Sequence, residues 1–177
     1  MADTDARTEN VGVDVEFEEN GEPDFDTLLG VITDGFVGAI GGFVGTSVMT
    51  VVLLVATTIG VFDFVAFEEL ATLSGLAAFA PMDARSFGYL IFLLGGMVTW
   101  PLLLASLGSY LPGDRFALKG IPFGFVLWTG FALAFYTGQT GLALAGYLVL
   151  TLIGHFAYGF ALGTVFDYLS TRPKTLV

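Results

Sequence analysis

Residues 35–62 read GFVGAIGGFVGTSVMTVVLLVATTIGVF, a run of 28 positions without an acidic or basic side chain. A bilayer core about 30 Å thick is crossed by roughly 20 apolar residues in α-helical conformation. The run therefore predicts one membrane-spanning helix with a few residues to spare. Residues 86–113 form a second uncharged run of 28 positions. Residues 120–166 form a third run of 47 positions, which has no acidic residue, lysine or arginine and contains one histidine.

The third run is too long for one span, because as a single helix it would extend roughly 70 Å. Two glycines and Gln139 interrupt it at 137–141 and indicate a turn. A transmembrane β-barrel is excluded, because its strands alternate apolar and polar residues and these runs do not. The sequence predicts an all-α fold, an integral membrane four-helix bundle, with spans at about 35–61, 87–110, 121–138 and 143–167.

Composition and charge divide the chain into three parts. Hydrophobic residues make up 55% and charged residues 13%, whereas an ordinary soluble domain is about 25% charged. The formal net charge is -11, and 11 of the 17 acidic residues lie within residues 1–34. We expect an acidic, largely disordered N-terminal tail at 1–27, the four-span domain at 28–170 and a short basic tail at 171–177. Alternating valines at 11–15 leave open a strand that pairs with a partner's sheet edge.

The basic residues predict the orientation in the membrane. With four spans, the termini and the second loop share one side, which holds every basic residue except Arg85: Arg7, Arg115, Lys119, Arg172 and Lys174. Cytoplasmic segments are rich in Lys and Arg. We therefore expect a multi-pass protein of the plasma membrane with both termini in the cytoplasm.

Several function classes find no support in the sequence. The chain has no cysteine, which excludes disulfides and thiolate metal sites. It has no nucleotide-binding loop, metal-binding motif or nucleophile elbow, and no basic patch for nucleic acid. We expect a protein that is not an enzyme and has no catalytic residues, no metal and no cofactor, and whose partners are the bilayer and either other membrane subunits or further copies of itself.

The first loop contains a short amphipathic segment. Apolar side chains recur every three residues between polar ones, at Phe67, Leu70, Leu73 and Leu76. We expect this segment to lie along the membrane interface, where it caps the mouth of the bundle or presents a surface for a partner.

Glycine accounts for 24 of the 177 residues, about twice its usual share of roughly 7%. Spacings of three and four residues place small faces on the first and fourth spans, formed by Gly38, Gly42, Gly45, Gly159 and Gly163. Such faces let helix backbones approach closely in lipid, so we expect the first and fourth spans to pack together. In the second span, Pro101 follows two glycines and predicts a kink.

The only histidine, His155, lies at the middle of the fourth span, where an ionisable group is a candidate for function. The candidate intramembrane polar site comprises His155, Asp167, Asp34 and Thr151. Proton relay, quinone contact and haem ligation are the functional interpretations of His155. The structural interpretation is a neutral ring bonded across the bundle to Thr46, Thr50 or Thr99. Asp34 and Asp167 are either interfacial salt-bridge partners or the inner mouth of a proton path.

Two motifs carry a resemblance to a known family. They are GGFVGTSVMT at 41–50 and HFAYGFALGTVFDY at 155–168. With the acidic tail they resemble an uncharacterised haloarchaeal family of small four-span membrane proteins, some encoded beside haem–copper oxidase genes. The resemblance implies a halophilic source and a non-catalytic accessory subunit or assembly partner of a respiratory complex. The alternative is a small homo-oligomeric transporter of protons, ions or solutes that uses His155.

Overall fold

The computed structural model describes residues 25–79 and 81–170, and the side chains of 35–79 and 81–169. The expected N-terminal tail therefore lies outside the described residues up to residue 24, and its last three positions already belong to the first helix. The expected basic tail at 171–177 lies wholly outside them. The described part is helical and contains no strand. Its helices are α1 Phe25–Thr58, α2 Ala66–Leu73, α3 Ala84–Leu94, α4 Trp100–Leu107, α5 Phe116–Ala134 and α6 Gly141–Ser170, with a 3-10 turn at Ala77–Phe79 and a π-helical segment at Gly95–Thr99.

Four helical stretches are long and apolar enough to cross a membrane: Gly35–Thr58, Ala84–Leu107, Phe116–Ala134 and Gly141–Leu169. This confirms the predicted all-α four-span fold. Ala84–Leu107 combines α3, the π segment and α4, and is called the second span below. It begins at residue 84 rather than 87, because Asp83 accepts a hydrogen bond from the backbone N–H of Ser86 and caps the helix.

The helices pack in a fixed order. α1 packs against α6 on one side and against the second span on the other, while α6 also packs against α5. The order across the bundle is therefore second span, α1, α6 and α5. Phe92 of the second span in turn meets the rings of Phe131 and Phe135 at the end of α5, so the four spans close into a bundle.

The glycine faces are divided among different neighbours. The first and fourth spans do pack together, but Gly159 and Gly163 lie against α5 instead of α1. Positions 154, 158 and 162 of α6 contact α1, whereas positions 155, 159 and 163 contact α5. The two rows are one residue, or about 100°, apart around the axis, so α6 serves both neighbours at once. Gly38 and Gly42 of α1 pack against Pro101 of the second span.

The amphipathic segment of the first loop forms α2, which covers one end of the bundle. Phe67 is fully buried and meets the rings of Phe92 and Phe135. Leu73 is 72% exposed, because a three-residue repeat drifts about 60° per step around an α-helix and has turned away from the core after two steps. Only the first half of the predicted apolar stripe therefore caps the bundle.

Candidate functional site

A cavity of about 610 Å³ lies between the second span and α5. Its walls are almost entirely apolar and include the aromatic rings of Phe92 and Phe131, which contact each other with 6.2 Å between centroids. Trp100, Leu103 and Val126 line it and are also partly exposed on the outer surface of the chain. The cavity therefore opens sideways, toward the space that lipid occupies. The part formed by α1 and α6 contributes Thr46 and His155.

The register between α1 and α6 brings these two polar residues to similar depths. Three pairs in contact fix this register: Gly41 with Leu162, Gly45 with Tyr158, and Met49 with Gly154. Each four-residue step along α1 matches a four-residue step backward along α6, as expected for antiparallel helices. Thr46 and His155 then differ in level by two residues, or about 3 Å along the axis.

His155 is buried, and its ring is held by its own helix. Nδ1 lies 2.7 Å from the backbone oxygen of Thr151, and the edge of the ring packs on Phe131 with 4.8 Å between centroids. The expected bond across the bundle to Thr46, Thr50 or Thr99 is therefore wrong, because the Thr151 carbonyl one turn away offers a closer acceptor. A carbonyl only accepts, so Nδ1 carries the hydrogen and Nε2 is left without a partner among the described residues.

Thr46 differs from the other hydroxyl residues of α1. Ser47, Thr50 and Thr57 each donate to the carbonyl four residues earlier. Thr46 is 1% exposed. Its hydroxyl oxygen is the one buried side-chain polar atom without a hydrogen bond in the described part of the chain. Gly96 makes room for it, because a β-carbon at that position would collide with the Thr46 hydroxyl.

The π-helical segment leaves the Gly96 carbonyl beside this site without a donor from its own helix. The backbone N–H of Trp100 reaches back five residues to Gly95, so it no longer serves Gly96. The next donor in the π register would be Pro101, which has no N–H. The Gly96 oxygen is instead bonded by the hydroxyl of Tyr158 at 2.8 Å. Pro101 thus interrupts the regular α-helical hydrogen bonding in the turn that precedes it. The carbonyl left over there accepts the bond from Tyr158 that joins the second span to α6.

Thr151 is a bridge between helices. Its hydroxyl donates to the backbone oxygen of Tyr147 at 2.7 Å and accepts from the indole N–H of Trp128 at 3.0 Å. Both hydrogen-bonding capacities of the hydroxyl are used in this way. The Thr151 side chain therefore joins α5 to α6, and only its backbone oxygen interacts with His155.

Asp167 caps α5 from another helix. Its two carboxylate oxygens accept the backbone N–H groups of Phe116 and Ala117 at 2.9 and 3.0 Å. A carboxylate at this end also complements the helix dipole. The cap explains why α5 begins at residue 116 instead of 121, and why Pro122 lies inside the helix.

Of the candidate polar site, the structure keeps Thr151 beside His155 and places Asp167 far from both. Asp167 is 12 residues beyond His155 on α6, or about 18 Å along the axis. Asp34 belongs to α1, but its side chain is outside the described ones. Tyr158 lines the same cavity as His155 and was not placed in the site from the sequence, whereas Thr46 entered only as a possible partner of the His155 ring. In the sequence, Pro101 five residues after Gly96 was the signal that could have indicated a Gly96 carbonyl without a donor from its own helix.

The arrangement around His155 fits binding by hydrogen bonds better than metal binding. Among the described residues, no group of three His, Cys, Asp or Glu side chains lies close enough to hold a metal ion. The described lining of the cavity includes no Asp, Glu, Lys or Arg. Haem or quinone contact through His155 stays a prediction, and the cavity is the place where either would meet the ring.

Comparisons with known proteins identify the family. No curated protein and no solved structure matches the chain. The model of a protein family matches residues 32–177, which include all four spans. The chain therefore belongs to DUF6789, a family of unknown function.

Proposed function

We propose that the chain is a non-catalytic accessory subunit or assembly partner of a larger membrane complex. The observation that carries this proposal is how the buried polar groups are used. Thr151, Tyr147 and Tyr158 all bond within the protein, and the cavity that Thr46 and His155 line is almost entirely apolar. Transporters commonly line the midplane with polar groups, whereas an accessory subunit needs no such lining.

The proposed partner is a respiratory complex of the haem–copper oxidase type. The support is the resemblance carried by 41–50 and 155–168, two motifs that meet where α1 packs on α6. The acidic tail agrees with a halophilic source, because proteins of halophiles that keep high salt in the cell carry many surface carboxylates. The exposed outer faces of the second span and α5 are the surfaces we assign to contact with the partner.

Affinity purification of the tagged full-length chain in mild detergent tests this proposal. We expect oxidase subunits in a fixed ratio to the chain and a haem Soret band in the eluate. An unrelated four-span protein with the same tag serves as the control. A chain that elutes alone from membranes containing assembled oxidase contradicts the proposal.

The proposal also places the protein in the plasma membrane with both termini in the cytoplasm. The basic residues at Arg115 and Lys119, against the single Arg85 of the opposite side, support this orientation. Because the chain has no cysteine, Ser109→Cys and Ser74→Cys provide single labels in the second and first loops. An impermeant maleimide added to intact cells should label only the latter, and the reverse result contradicts the orientation.

The second candidate function is a homo-oligomeric transporter of protons, ions or solutes. The position of His155 on a membrane-facing cavity favours it. Proton flux in proteoliposomes that is lost in His155→Phe, and kept in Thr164→Val on the exposed face of α6, would support transport. Liposomes that show no flux with the wild-type chain remove this candidate.

A further inference from the structure

We propose that the cavity between the second span and α5 binds one lipophilic molecule whose polar end is a hydroxyl group, held by Thr46 and His155. This inference goes beyond the accessory role and does not depend on it. The ligand class follows from three observations: a hydroxyl and a ring nitrogen that have no hydrogen-bond partner among the described residues, and an apolar cavity open to lipid.

The Thr46 hydroxyl requires a partner that the described protein does not provide. The residue is 1% exposed, lines the cavity and has no hydrogen bond. Buried polar groups in native proteins are nearly always hydrogen-bonded. Its neighbours on α1 bond to their own helix, whereas the Thr46 hydroxyl packs against Gly96 and has to rotate about χ1 to meet an occupant of the cavity that the residue lines.

The ring of His155 decides which chemistry fits. Nδ1 is committed to the Thr151 carbonyl, and the described lining of the cavity offers no carboxylate that would pair with a charged ring. In the neutral ring, Nε2 is then an acceptor and needs a donor. A ligand hydroxyl can donate to Nε2 and accept from Thr46, which an ether or a ketone cannot do. Both residues line the cavity at levels about 3 Å apart, so the polar end of one occupant lies at the depth of both.

The size and the opening of the cavity indicate what the apolar part of the ligand is. A volume of about 610 Å³ lies within the range of roughly 300–1,000 Å³ that small-molecule sites occupy. The aromatic walls suit a ring or a chain, and the lateral opening beside Trp100 and Val126 admits a molecule from the bilayer. The occupant is therefore a membrane-soluble alcohol, phenol or quinol.

The test compares two probes with the same apolar body. The full-length chain in nanodiscs of one synthetic phospholipid is titrated with para-nonylphenol and with its methyl ether, para-nonylanisole. Trp100 at the cavity reports binding by fluorescence in a Trp128→Phe background. We expect the phenol to bind about tenfold more tightly, as one net hydrogen bond implies. Thermal stabilisation of the wild-type chain by the phenol but not the ether repeats the comparison without a substitution.

Matched variants assign the difference to the site. Thr46→Val and His155→Phe should each bring the two affinities within about twofold of each other, whereas Thr46→Ser should keep the preference. Equal affinities in the wild-type chain overturn the proposal and indicate that a lipid tail or a bridging water occupies the cavity. A preference that survives in Thr46→Val also overturns it. Decylubiquinol and a long-chain isoprenoid alcohol then distinguish a quinol from a simple alcohol as the natural source of the hydroxyl.

Discussion

The two sides of α5 are built from similar residues but behave differently. Toward α6, Gly120 and Gly124 lie directly against the backbone carbonyls of Gly159 and His155. Toward the second span, Gly130 lines the cavity, and a β-carbon added there would meet no described side chain or neighbouring helix within 4 Å. In lipid the hydrophobic effect does not drive helices together, so close backbone packing decides which helices associate. The closed side is therefore specified by glycine, and the open side is left for a ligand.

Alanine at two glycines of α5 gives the largest contrast between these sides. Gly120→Ala forces a β-carbon into the Gly159 carbonyl, and we expect the free energy of unfolding to fall by about 3 kcal/mol. Gly130→Ala meets open space and should raise it by up to about 1 kcal/mol through helix propensity. Unfolding in mixed SDS micelles measures both. Equal effects of the two substitutions contradict the distinction.

The bond between Tyr158 and the second span is the next largest effect. Tyr158→Phe leaves the Gly96 carbonyl without a donor, which should lower the free energy of unfolding by about 1.5 kcal/mol. Tyr136→Phe is the control, because the Tyr136 hydroxyl is bonded at an exposed loop. A Tyr158→Phe protein as stable as the wild type means that the π segment does not need this donor.

The cap on α5 tests whether the closed side also depends on polar contacts. Asp167→Ala removes the acceptor for the N–H groups of Phe116 and Ala117. We expect a loss of about 1 kcal/mol in the free energy of unfolding and faster amide exchange in the first turn of α5. Unchanged exchange at these amides would show that the carboxylate does not define the start of the helix.

Two threonines with opposite surroundings give a smaller contrast. Thr151→Val removes the bridge to Trp128 and should cost about 0.6 kcal/mol. Thr46→Val removes a hydroxyl that has no partner among the described residues, so the same unfolding assay should find it neutral or slightly stabilising. A larger loss for Thr46→Val than for Thr151→Val contradicts the assignment of Thr46 to a ligand.

The smallest effect concerns the exposed start of α3. The backbone N–H of Ser86 holds the pKa of Asp83 below its ordinary value of 3.8. A lowered folded-state pKa adds stability above the ordinary value, and this stability is lost as the pH falls through the lower folded value. Thermal scans between pH 6 and pH 3 should therefore show a slightly weaker pH dependence in Asp83→Asn. An identical dependence removes Asp83 as a contributor.

Uncharged run lengths predict the four spans well, because the bilayer thickness alone sets that requirement. The helix ends are harder to predict, since α5 starts where Asp167 of another helix caps it. The glycines indicate close packing but not the neighbour, because adjacent rows of α6 are equally small. The depth of His155 follows from counting residues. Its partner and the free hydroxyl of Thr46 depend on rotamers and on the π segment, which no periodicity reveals.

Photolabelling tests most directly the central claim that the open side is a binding site. The probe is an alkyl phenol with a diazirine in its tail, applied to the wild-type chain in nanodiscs. We predict labels on Leu103, Val126 and Gly130 around the cavity that excess para-nonylphenol removes. Labels on Ile153, on the exposed face of α6, should be weak and unaffected by the competitor. Even labelling of all lipid-facing residues, without competition at the cavity, would contradict the account.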